Sequence, residues 1–246
     1  MPLYDKILIL TGAGLSAESG LSTFRDKNGI WDKYKPEEVA TIEGYRADPE
    51  RCLEFYNMRR ELHTDSAPNA AHKALARLEA DYPGDVVTIT QNIDVLHEEA
   101  GSRQVLHMHG RIDRAKCITC DHKYEIGFHA LSGTSKCPSC GEVGGQRPDV
   151  VWFGEMPYDL PAIADEINQA YLFIAIGTSG SVYPAAGFVS LARKAGAHTV
   201  ELNFEPSEGV VQFHEAHQGK ATELVPFYVD RLMHEASIAQ KKEVYT

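Results

Sequence analysis

The sequence has no apolar stretch that approaches the about 18 consecutive residues of a transmembrane helix, so we expect no membrane-spanning segment. It also begins without a basic segment followed by a cleavable apolar stretch, and we therefore expect a cytoplasmic protein. Positive charge is scarce, since 24 Lys and Arg residues are set against 35 Asp and Glu, which gives a net charge of −11. This balance opposes non-specific attraction to phosphates, and we expect no direct nucleic-acid partner.

Cysteine is also scarce, with five residues, and four of them form two CxxC pairs. This pattern fits a metal site in a reducing compartment better than a disulfide framework. The pairs Cys117/Cys120 and Cys137/Cys140 have the spacing of a zinc ribbon, and four thiolates leave no open position for a catalytic water. We predict one structural Zn²⁺, with free thiols or a redox pair as the alternative. Cys52 stands alone and is interpreted as a small buried residue.

Short apolar runs alternate with helix-length segments in much of the chain. The run at residues 6–11 enters a glycine turn, and similar strand-like runs are found at 86–90, 171–176 and 198–202. Helices are predicted at about 160–169 and 184–194, the second ending at Gly196. This alternation predicts an α/β fold with a Rossmann-like, doubly wound parallel sheet.

Two segments interrupt this alternation and are predicted to form a smaller helical and zinc-ribbon part. Residues 36–80 are interpreted as helical, with Asp48 capping a helix that starts at Pro49 and Asn69 capping a second one. Residues 111–147 contain the paired cysteines. We therefore expect one catalytic domain over residues 1–246, with its larger part formed by about 1–35, 81–110 and 148–246.

The run GAGLSA at residues 12–17 follows the first strand and fits the G-x-G-x-x-G/A pattern of dinucleotide loops. The acidic residue that a dehydrogenase places about 20 positions further on, at the end of a second strand, is missing. The corresponding residues 29–34 do not form a strand-like pattern. This absence disfavours hydride transfer.

Several motifs together resemble the sirtuin family of NAD-dependent protein deacylases. GAGLSAESG at 12–20 with TFR at 23–25 resembles its cofactor loop, TQNID at 90–94 its nicotinamide-pocket motif, and HG at 109–110 its catalytic histidine. The CxxC pairs, VWFGE at 151–155, GTS at 177–179 and LNFE at 202–205 follow in the family's order, so the resemblance covers residues 7 to about 230. Thr23 departs from the family, in which many members have Asp.

The resemblance implies that NAD⁺ binds across the carboxyl ends of the strands. Gly12, Ala13 and Gly14 would face its diphosphate. The adenosine side would contact Ser179, Asn203 and Glu205, and the ribose and nicotinamide side would contact Gln91, Asn92 and Asp94. The other cofactor-binding residues implied are Ala17, Phe24, Arg25, Trp31, Ile93, Gly177, Thr178, Phe204 and Ala221. Without the resemblance, Asn92 and Asp94 would be interpreted as turn formers after a strand rather than as functional residues.

His109 is the predicted general base, because imidazole accepts protons near neutral pH. His107 is a competitor, since two histidines two residues apart could lie on one face of a strand or bind one metal. The resemblance selects His109 and adds Asn92 and Asp94 as catalytic residues. It implies that an acyl-lysine is cleaved to free lysine, nicotinamide and O-acyl-ADP-ribose.

Substrate contacts are predicted at two places. The segment formed by Val151, Trp152, Phe153, Gly154 and Glu155 resembles the one whose backbone pairs with an extended acyl-lysine peptide. Tyr56 and Arg59 lie three residues apart and share one face of a predicted helix. They could be a core tyrosine beside a solvated arginine, but they resemble the Tyr-x-x-Arg signature of sirtuins active on succinyl-, malonyl- and glutaryl-lysine.

We therefore predict a deacylase, expected to be monomeric, that removes acetyl and acidic acyl groups from lysine in proteins or peptides. The alternatives left open are a plain deacetylase in which Arg59 faces solvent, a non-catalytic NAD-sensing or zinc-dependent module, and mono-ADP-ribosyl transfer.

Overall fold

The computed structural model describes residues 3–21 and 33–244, with side chains to residue 239. Within these ranges the strands are β1 (Lys6–Thr11), β2 (Asp85–Thr90), β3 (Val105–His107), β4 (Gly110–Cys117), β5 (Lys123–Glu125), β6 (Gln146–Val150), β7 (Leu172–Ile176), β8 (His198–Asn203) and β9 (Glu215–Gln218). The α-helices are α1 (Ala13–Ser16), α2 (Pro36–Val39), α3 (Ile42–Ala47), α4 (Pro49–Thr64), α5 (Ala70–Asp81), α6 (Leu96–Glu99), α7 (Leu160–Gln169), α8 (Phe188–Lys194) and α9 (Ala221–Val244).

Six strands form one parallel sheet in the order β3-β2-β1-β7-β8-β9. The chain moves outward from β1 to β3 and then returns to the other side of β1, which is the strand order of a Rossmann fold. The predicted doubly wound sheet is thus confirmed. The order reverses between β1 and β7, and a ligand crevice is expected at the carboxyl ends of these strands.

The strands bury side chains on both faces because helices cover both faces. Ile7 and Ile9 of β1 pack into one core with α5 and α9. Leu8 and Leu10 point to the opposite face and pack with α7 and α8. All six residues of β1 are buried. A strand covered on both faces needs a continuous apolar run rather than an alternating one, and this explains the apolar sequence of β1.

The helix boundaries follow the predicted capping residues. The Asp48 side chain accepts a hydrogen bond from the Arg51 N–H at 3.0 Å, and Pro49 occupies the first helical position of α4. Asn69 forms a capping box with His72 at the start of α5. Gly196 has φ +94°, a left-handed conformation that favours glycine and ends α8.

A second, antiparallel sheet has the order β5-β4-β6. It runs from Gly110 to Val150 and packs with α2, α3 and α4 around a third core that contains Phe55, Tyr56 and Trp152. The predicted part boundaries at residues 36, 81, 111 and 148 remain predictions, although the change from one sheet to the other lies near two of them.

Some local predictions need correction. The segment predicted as one helix over 184–194 begins as a 3₁₀ turn at Ala185–Gly187, where the Gly187 N–H bonds to the Pro184 carbonyl at 2.9 Å, and α8 begins only at Phe188. The strand β3 ends at His107, so His107 and His109 do not share a strand face. The sequence pattern did not predict β9. No helix among the described residues has the length and apolar character needed to cross a membrane.

Candidate active site and zinc site

A cavity of about 770 Å³ opens at the carboxyl edge of the parallel sheet. Its wall includes Gly12, Gln91 and Gly177, which directly follow β1, β2 and β7, and Asn203 at the end of β8. Parallel strands direct all their carboxyl ends to the same edge, so residues distant in the chain meet there.

The cavity collects every predicted cofactor and substrate residue that the structure describes. Phe24, Arg25 and Trp31, as well as Thr23, lie outside the described residues. The predicted residues in the lining are Gly12, Ala13, Gly14, Ala17, Tyr56, Arg59, Gln91, Asn92, Ile93, Asp94, His109, Val151, Trp152, Phe153, Gly154, Glu155, Gly177, Thr178, Ser179, Asn203, Phe204, Glu205 and Ala221.

Two glycine turns are packed against each other at the floor of this cavity. The Gly12 N–H donates to the Ile176 carbonyl at 3.0 Å, and the Gly14 N–H donates to the Gly177 carbonyl at 2.9 Å. A Cβ added at Gly12 or Gly14 would lie 2.7 Å from Gly177 backbone atoms. These glycines therefore allow the two turns to approach. Both line the cavity, but their N–H groups are already bonded and are not available to a diphosphate in this structure.

The adenosine side predicted from the family motifs is formed by the loop after β7 and the end of β8. The Asn203 side-chain amide donates to the Thr178 carbonyl at 2.6 Å, which ties these two strand ends together. The Ser179 and Ser181 hydroxyl oxygens lie 2.8 Å apart. Phe204 is 68% exposed, and its ring is available to a ligand at the cavity rim.

A buried polar network lies behind the predicted nicotinamide side. The Ser16 hydroxyl donates to Asp94 Oδ2 at 3.0 Å and accepts from the Asn92 amide at 3.1 Å. The same amide donates to the Gly12 carbonyl at 3.1 Å, and the Leu96 N–H donates to Asp94 Oδ1 at 3.2 Å. Asn92 and Asp94 are therefore held in place by buried hydrogen bonds.

Two buried histidines support this network from the protein interior. His72 Nε2 lies 3.5 Å from the Ser16 hydroxyl, and His97 Nε2 lies 3.0 Å from the Thr11 hydroxyl. Burial lowers the pKa of His72 to about 4 and that of His97 to about 3. Both rings are therefore neutral at pH 7 and act as hydrogen-bonding groups rather than as charges.

His109 and His107 have different surroundings. His109 lines the cavity, and its Nδ1 lies 3.0 Å from the Gln91 carbonyl oxygen. A carbonyl only accepts, so Nδ1 carries the hydrogen and the neutral ring keeps a lone pair on Nε2. Burial lowers the pKa of His109, which favours this neutral form. His107 lies outside the cavity lining, with its Nε2 2.6 Å from Glu98 Oε1.

Tyr56 and Arg59 reach the cavity from α4. The Arg59 guanidinium lies over the Phe55 ring, 5.9 Å from its centroid, and burial lowers the Arg59 pKa, while Tyr56 and Asp94 act in the opposite direction. The next residue, Arg60, is fully buried and turns away from the cavity. Its Nε donates to the Ile112 carbonyl at 2.9 Å and its Nη1 to Asn57 Oδ1 at 2.8 Å. Arg60 is therefore a structural residue.

The segment from Val151 to Glu155 forms the opposite wall. Most of its N–H groups are used internally: that of Val151 donates to the His109 carbonyl, that of Phe153 to the Ala40 carbonyl, and that of Trp152 to the Glu155 carboxylate. Glu155 also donates its N–H to the Trp152 carbonyl at 3.0 Å. Within the described residues, Gly154 keeps the segment's one unused N–H.

The four paired cysteines converge on one point at the end of the antiparallel sheet. All four sulfur atoms lie within 4.8 Å of one another. The Cys117 and Cys140 sulfurs are 3.7 Å apart, and those of Cys120 and Cys137 are 3.8 Å apart. Thiolates about 2.3 Å from a tetrahedral zinc lie about 3.8 Å from one another. The donor set therefore fits a closed zinc site, as predicted. Cys52 is separate from this site and fully buried.

Sequence reasoning assigned no role to some residues that the structure places at the site. Ser16 is hydrogen-bonded to both Asn92 and Asp94. Its position within the glycine motif was its one sequence signal. Glu18 accepts hydrogen bonds from the Thr222 N–H and hydroxyl, both at 3.0 Å, which joins the glycine loop to the start of α9. These contacts link segments far apart in the chain, and no local spacing reveals them.

Comparison with known proteins yields relatives over almost the whole chain. The family model of the Sir2 family matches residues 12–184. An "NAD-dependent protein deacylase" of Caulobacter vibrioides is 50% identical over 232 residues, covering 93% of this chain and 97% of that protein. The Trypanosoma brucei brucei protein "NAD-dependent protein deacylase SIR2rp3" is 49% identical over 231 residues, covering 93% and 95%.

Solved structures of Sir2 proteins are also similar to this chain over almost its whole length. A Sir2 homologue in complex with NAD is 37% identical with a TM-score of 0.87, covering 95% of this chain and 91% of that one. A Sir2 protein with a deacetylated peptide and 3′-O-acetyl ADP-ribose is 30% identical with a TM-score of 0.77, covering 95% and 94%.

Proposed function

We propose that this chain, which belongs to the Sir2 family, is an NAD-dependent protein lysine deacylase that removes acidic acyl groups such as succinyl, malonyl and glutaryl in addition to acetyl. Relatives about half identical to it bear the name NAD-dependent protein deacylase, which supports the general activity. The proposed activity on acidic acyl groups is supported by Arg59 in the cavity wall. The cytoplasmic location, the monomeric state and the lack of nucleic-acid binding remain predictions.

His109 has the features of the general base. Its Nδ1–H is fixed by the Gln91 carbonyl, so the Nε2 lone pair is held in a defined direction. Its lowered pKa keeps the ring neutral and ready to accept a proton at pH 7. Bound NAD⁺ would supply a nicotinamide leaving group and an ADP-ribose acceptor for the acyl group. His109 would accept the proton from a ribose hydroxyl as that hydroxyl becomes a nucleophile.

Asn92 and Asp94 are proposed to orient the nicotinamide side. Both are less than a tenth exposed and share Ser16 as a hydrogen-bond partner. This contact network limits their rotation and presents fixed polar groups to a ligand without a reorganisation cost.

The proposed activity on acidic acyl groups rests on Arg59. Within the described residues the Arg59 guanidinium makes no ion pair. In contrast, Arg51 of the same helix pairs with Glu38 at 2.8 Å. A partly desolvated cation without a carboxylate partner is costly, and a carboxylate ligand would relieve that cost. The succinyl, malonyl and glutaryl groups each end in a carboxylate. Arginine can donate two parallel hydrogen bonds to such a group, and Tyr56 can donate a third.

The proposal is tested by comparing succinyl- and acetyl-lysine forms of one peptide with wild type and Arg59→Met. Hydrogen bonds to charged groups contribute roughly 1.5–3 kcal/mol, so kcat/KM for the succinyl peptide should fall on the order of 10–150-fold. The acetyl peptide has no carboxylate, and its kcat/KM should stay within a few fold. Tyr56→Phe should reduce desuccinylation less than Arg59→Met, because it removes a neutral donor.

Arg51→Met is the matched control, since it removes an arginine from the same helix at a place outside the cavity lining. It should leave the ratio of the two activities unchanged. Equal losses on both peptides in Arg59→Met would make Arg59 a structural residue and leave a plain deacetylase as the function.

A further inference from the structure

The Tyr56 hydroxyl receives a hydrogen bond from the wall opposite α4. Trp152 Nε1 donates to the Tyr56 hydroxyl oxygen at 2.8 Å, and both side chains are only 2% exposed. An indole N–H can only donate, so the tyrosine oxygen is the acceptor in this bond. The hydroxyl hydrogen of Tyr56 thus remains available for another partner.

The direction of that hydrogen is restricted. Burial raises the pKa of Tyr56, so the hydroxyl keeps its hydrogen at neutral pH. A phenol hydroxyl prefers the plane of its ring, which leaves two orientations for the hydrogen. The indole N–H occupies the lone pair on one side and therefore favours the orientation in which the hydrogen points away from Trp152.

The indole ring is itself held in one position. The Arg147 guanidinium lies 3.4 Å from the centroid of the Trp152 ring system. Arg147 is fixed by two 2.8 Å hydrogen bonds to the Glu155 carboxylate and by a 2.7 Å bond to the Val150 carbonyl. Tyr45 packs on the indole with ring centroids 5.3 Å apart. Trp152 therefore cannot turn its N–H to another acceptor without breaking this packing.

We infer that Trp152 is a positioning residue for acidic-acyl selectivity, because its indole N–H orients the Tyr56 hydroxyl so that it donates to the carboxylate of the acyl chain. The inference rests on the proposed function and adds to it a residue that need not contact the carboxylate. Phenylalanine at this position would keep a smaller aromatic ring in the packing but lose the N–H. The hydroxyl could then rotate, and part of its donation to the substrate would be lost.

The test measures kcat/KM for succinyl- and acetyl-lysine peptides in wild type, Trp152→Phe, Tyr56→Phe and the double variant. A neutral hydrogen bond contributes about 0.5–1.5 kcal/mol, so Trp152→Phe should lower the succinyl-to-acetyl ratio by about 3–10-fold. We expect the loss mainly in KM for the succinyl peptide. In the Tyr56→Phe background the same change should leave the ratio unaltered, because the hydroxyl is already absent.

Tyr45→Phe is the matched control. It removes another buried tyrosine hydroxyl next to Trp152, one that donates to the Gln146 carbonyl at 3.3 Å. This variant should keep the wild-type ratio. Equal losses on both peptides in Trp152→Phe, or an equal ratio change with and without the Tyr56 hydroxyl, would overturn the inference and make Trp152 a packing residue.

A measurement on the unaltered tryptophan covers the case in which Trp152→Phe does not fold. The chain has two tryptophans, so the indole ¹⁵N–H signals of Trp31 and Trp152 can be assigned with Trp31→Phe. The Trp152 signal should shift in Tyr56→Phe, and it should shift more when the succinyl peptide binds than when the acetyl peptide binds. A Trp152 signal that shifts neither in Tyr56→Phe nor on binding of the succinyl peptide would overturn the inference.

The two proposals fail in different ways. If Arg59→Met leaves the ratio unchanged, the acidic-acyl function fails, whatever Trp152 does. If Arg59→Met lowers the ratio as expected while Trp152→Phe does not, the function stands and only the role of Trp152 is rejected.

Discussion

The two halves of the cavity are built in different ways. The cofactor half consists of turns that follow the parallel strands, and main-chain hydrogen bonds such as Gly12 N–H to Ile176 O hold it together. The acyl half consists of side chains from α4 and from the segment after β6. These are fixed by side-chain contacts, among them Trp152 to Tyr56 and Arg60 to the Ile112 carbonyl.

We relate the cofactor half to the chemistry shared by all acyl substrates and the acyl half to the selectivity among them. Apart from the glycines that let the turns approach, main-chain geometry at strand ends depends little on which side chains are present, so a fold can keep it while substrates change. Side-chain hydrogen bonds change with single substitutions. The acyl half also depends on the zinc-bearing segment, because Asn57 of α4 bonds both the N–H and the carbonyl of Leu131, at 2.9 and 2.8 Å.

The strongest test of the shared chemistry is His109→Ala. It should lower kcat/KM by about 10²-fold or more on both acyl peptides, because it removes a general base rather than a selectivity group. Circular dichroism and zinc content should match wild type. His107→Ala is the matched control and should affect turnover far less, since His107 bonds Glu98 outside the cavity. Retention of more than about a tenth of wild-type turnover would contradict the role of His109.

Cys137→Ser should destabilise the acyl half of the cavity, because α4 is hydrogen-bonded to the zinc-bearing segment. Zinc binding at a closed thiolate site is coupled to folding, so losing one ligand should lower Tm by about 10 °C or more. Metal analysis should show stoichiometric zinc in wild type and its loss in the variant. Cys52→Ser removes a buried cysteine outside the cluster and should retain the zinc. Zinc-free wild type with full activity after strong chelation would refute the structural role.

Gly177→Ala addresses the cofactor half. Gly177 has φ +62°, and an added Cβ would lie 2.4 Å from the Leu15 N atom, so the two turns must separate. We expect a loss of about 2 kcal/mol in stability and a raised KM for NAD⁺, with an unchanged succinyl-to-acetyl ratio. Gly127→Ala has a similar positive φ, +57°, but open space around it. Urea unfolding of both variants separates backbone strain from the loss of close packing, and equal losses would refute the packing argument.

The smallest expected effect concerns pH and the buried histidines. His72 and His97 have folded pKa values of about 4 and 3, below the ordinary 6.5. The unfolded chain binds more protons between these values and 6.5, so stability falls as pH drops through that window. Between pH 7 and 5.5 we expect each of the two histidines to contribute a loss of about 1.2 kcal/mol, measured by urea unfolding. His72→Gln should show a smaller loss; an unchanged pH dependence would exclude a contribution from His72.

Much of the fold and site could be predicted because the signals are local. The Asp48 cap and the apolar run of β1 depend on neighbouring residues in the chain, and the structure has both. The four cysteines were assigned from spacing alone, since a zinc ligand set limits the allowed separations. The residues of the cavity lining were predicted from the resemblance of their motifs to the sirtuin family, and they meet because parallel strands bring their carboxyl ends together.

Other features could not be predicted because they depend on contacts between distant segments. The edge strand β9 has an exposed, polar pattern and forms only by pairing with β8. Sequence spacing could not show that the N–H groups of Gly12 and Gly14 bond the neighbouring turn.

The sequence by itself determined the parallel α/β fold and the zinc ligands, because periodicity, capping and ligand spacing are local properties. The residues at the cavity were predicted only from the resemblance of the motifs to the sirtuin family. Only the tertiary structure decided how the two adjacent arginines are held: Arg59, which the motif spacing predicted, lines the cavity, whereas Arg60 is buried against Ile112 and Asn57. It also decided that Trp152 bonds Tyr56 across 96 positions of the chain. The physical reason is that buried polar groups need partners, and folding brings those partners from any distance in the sequence.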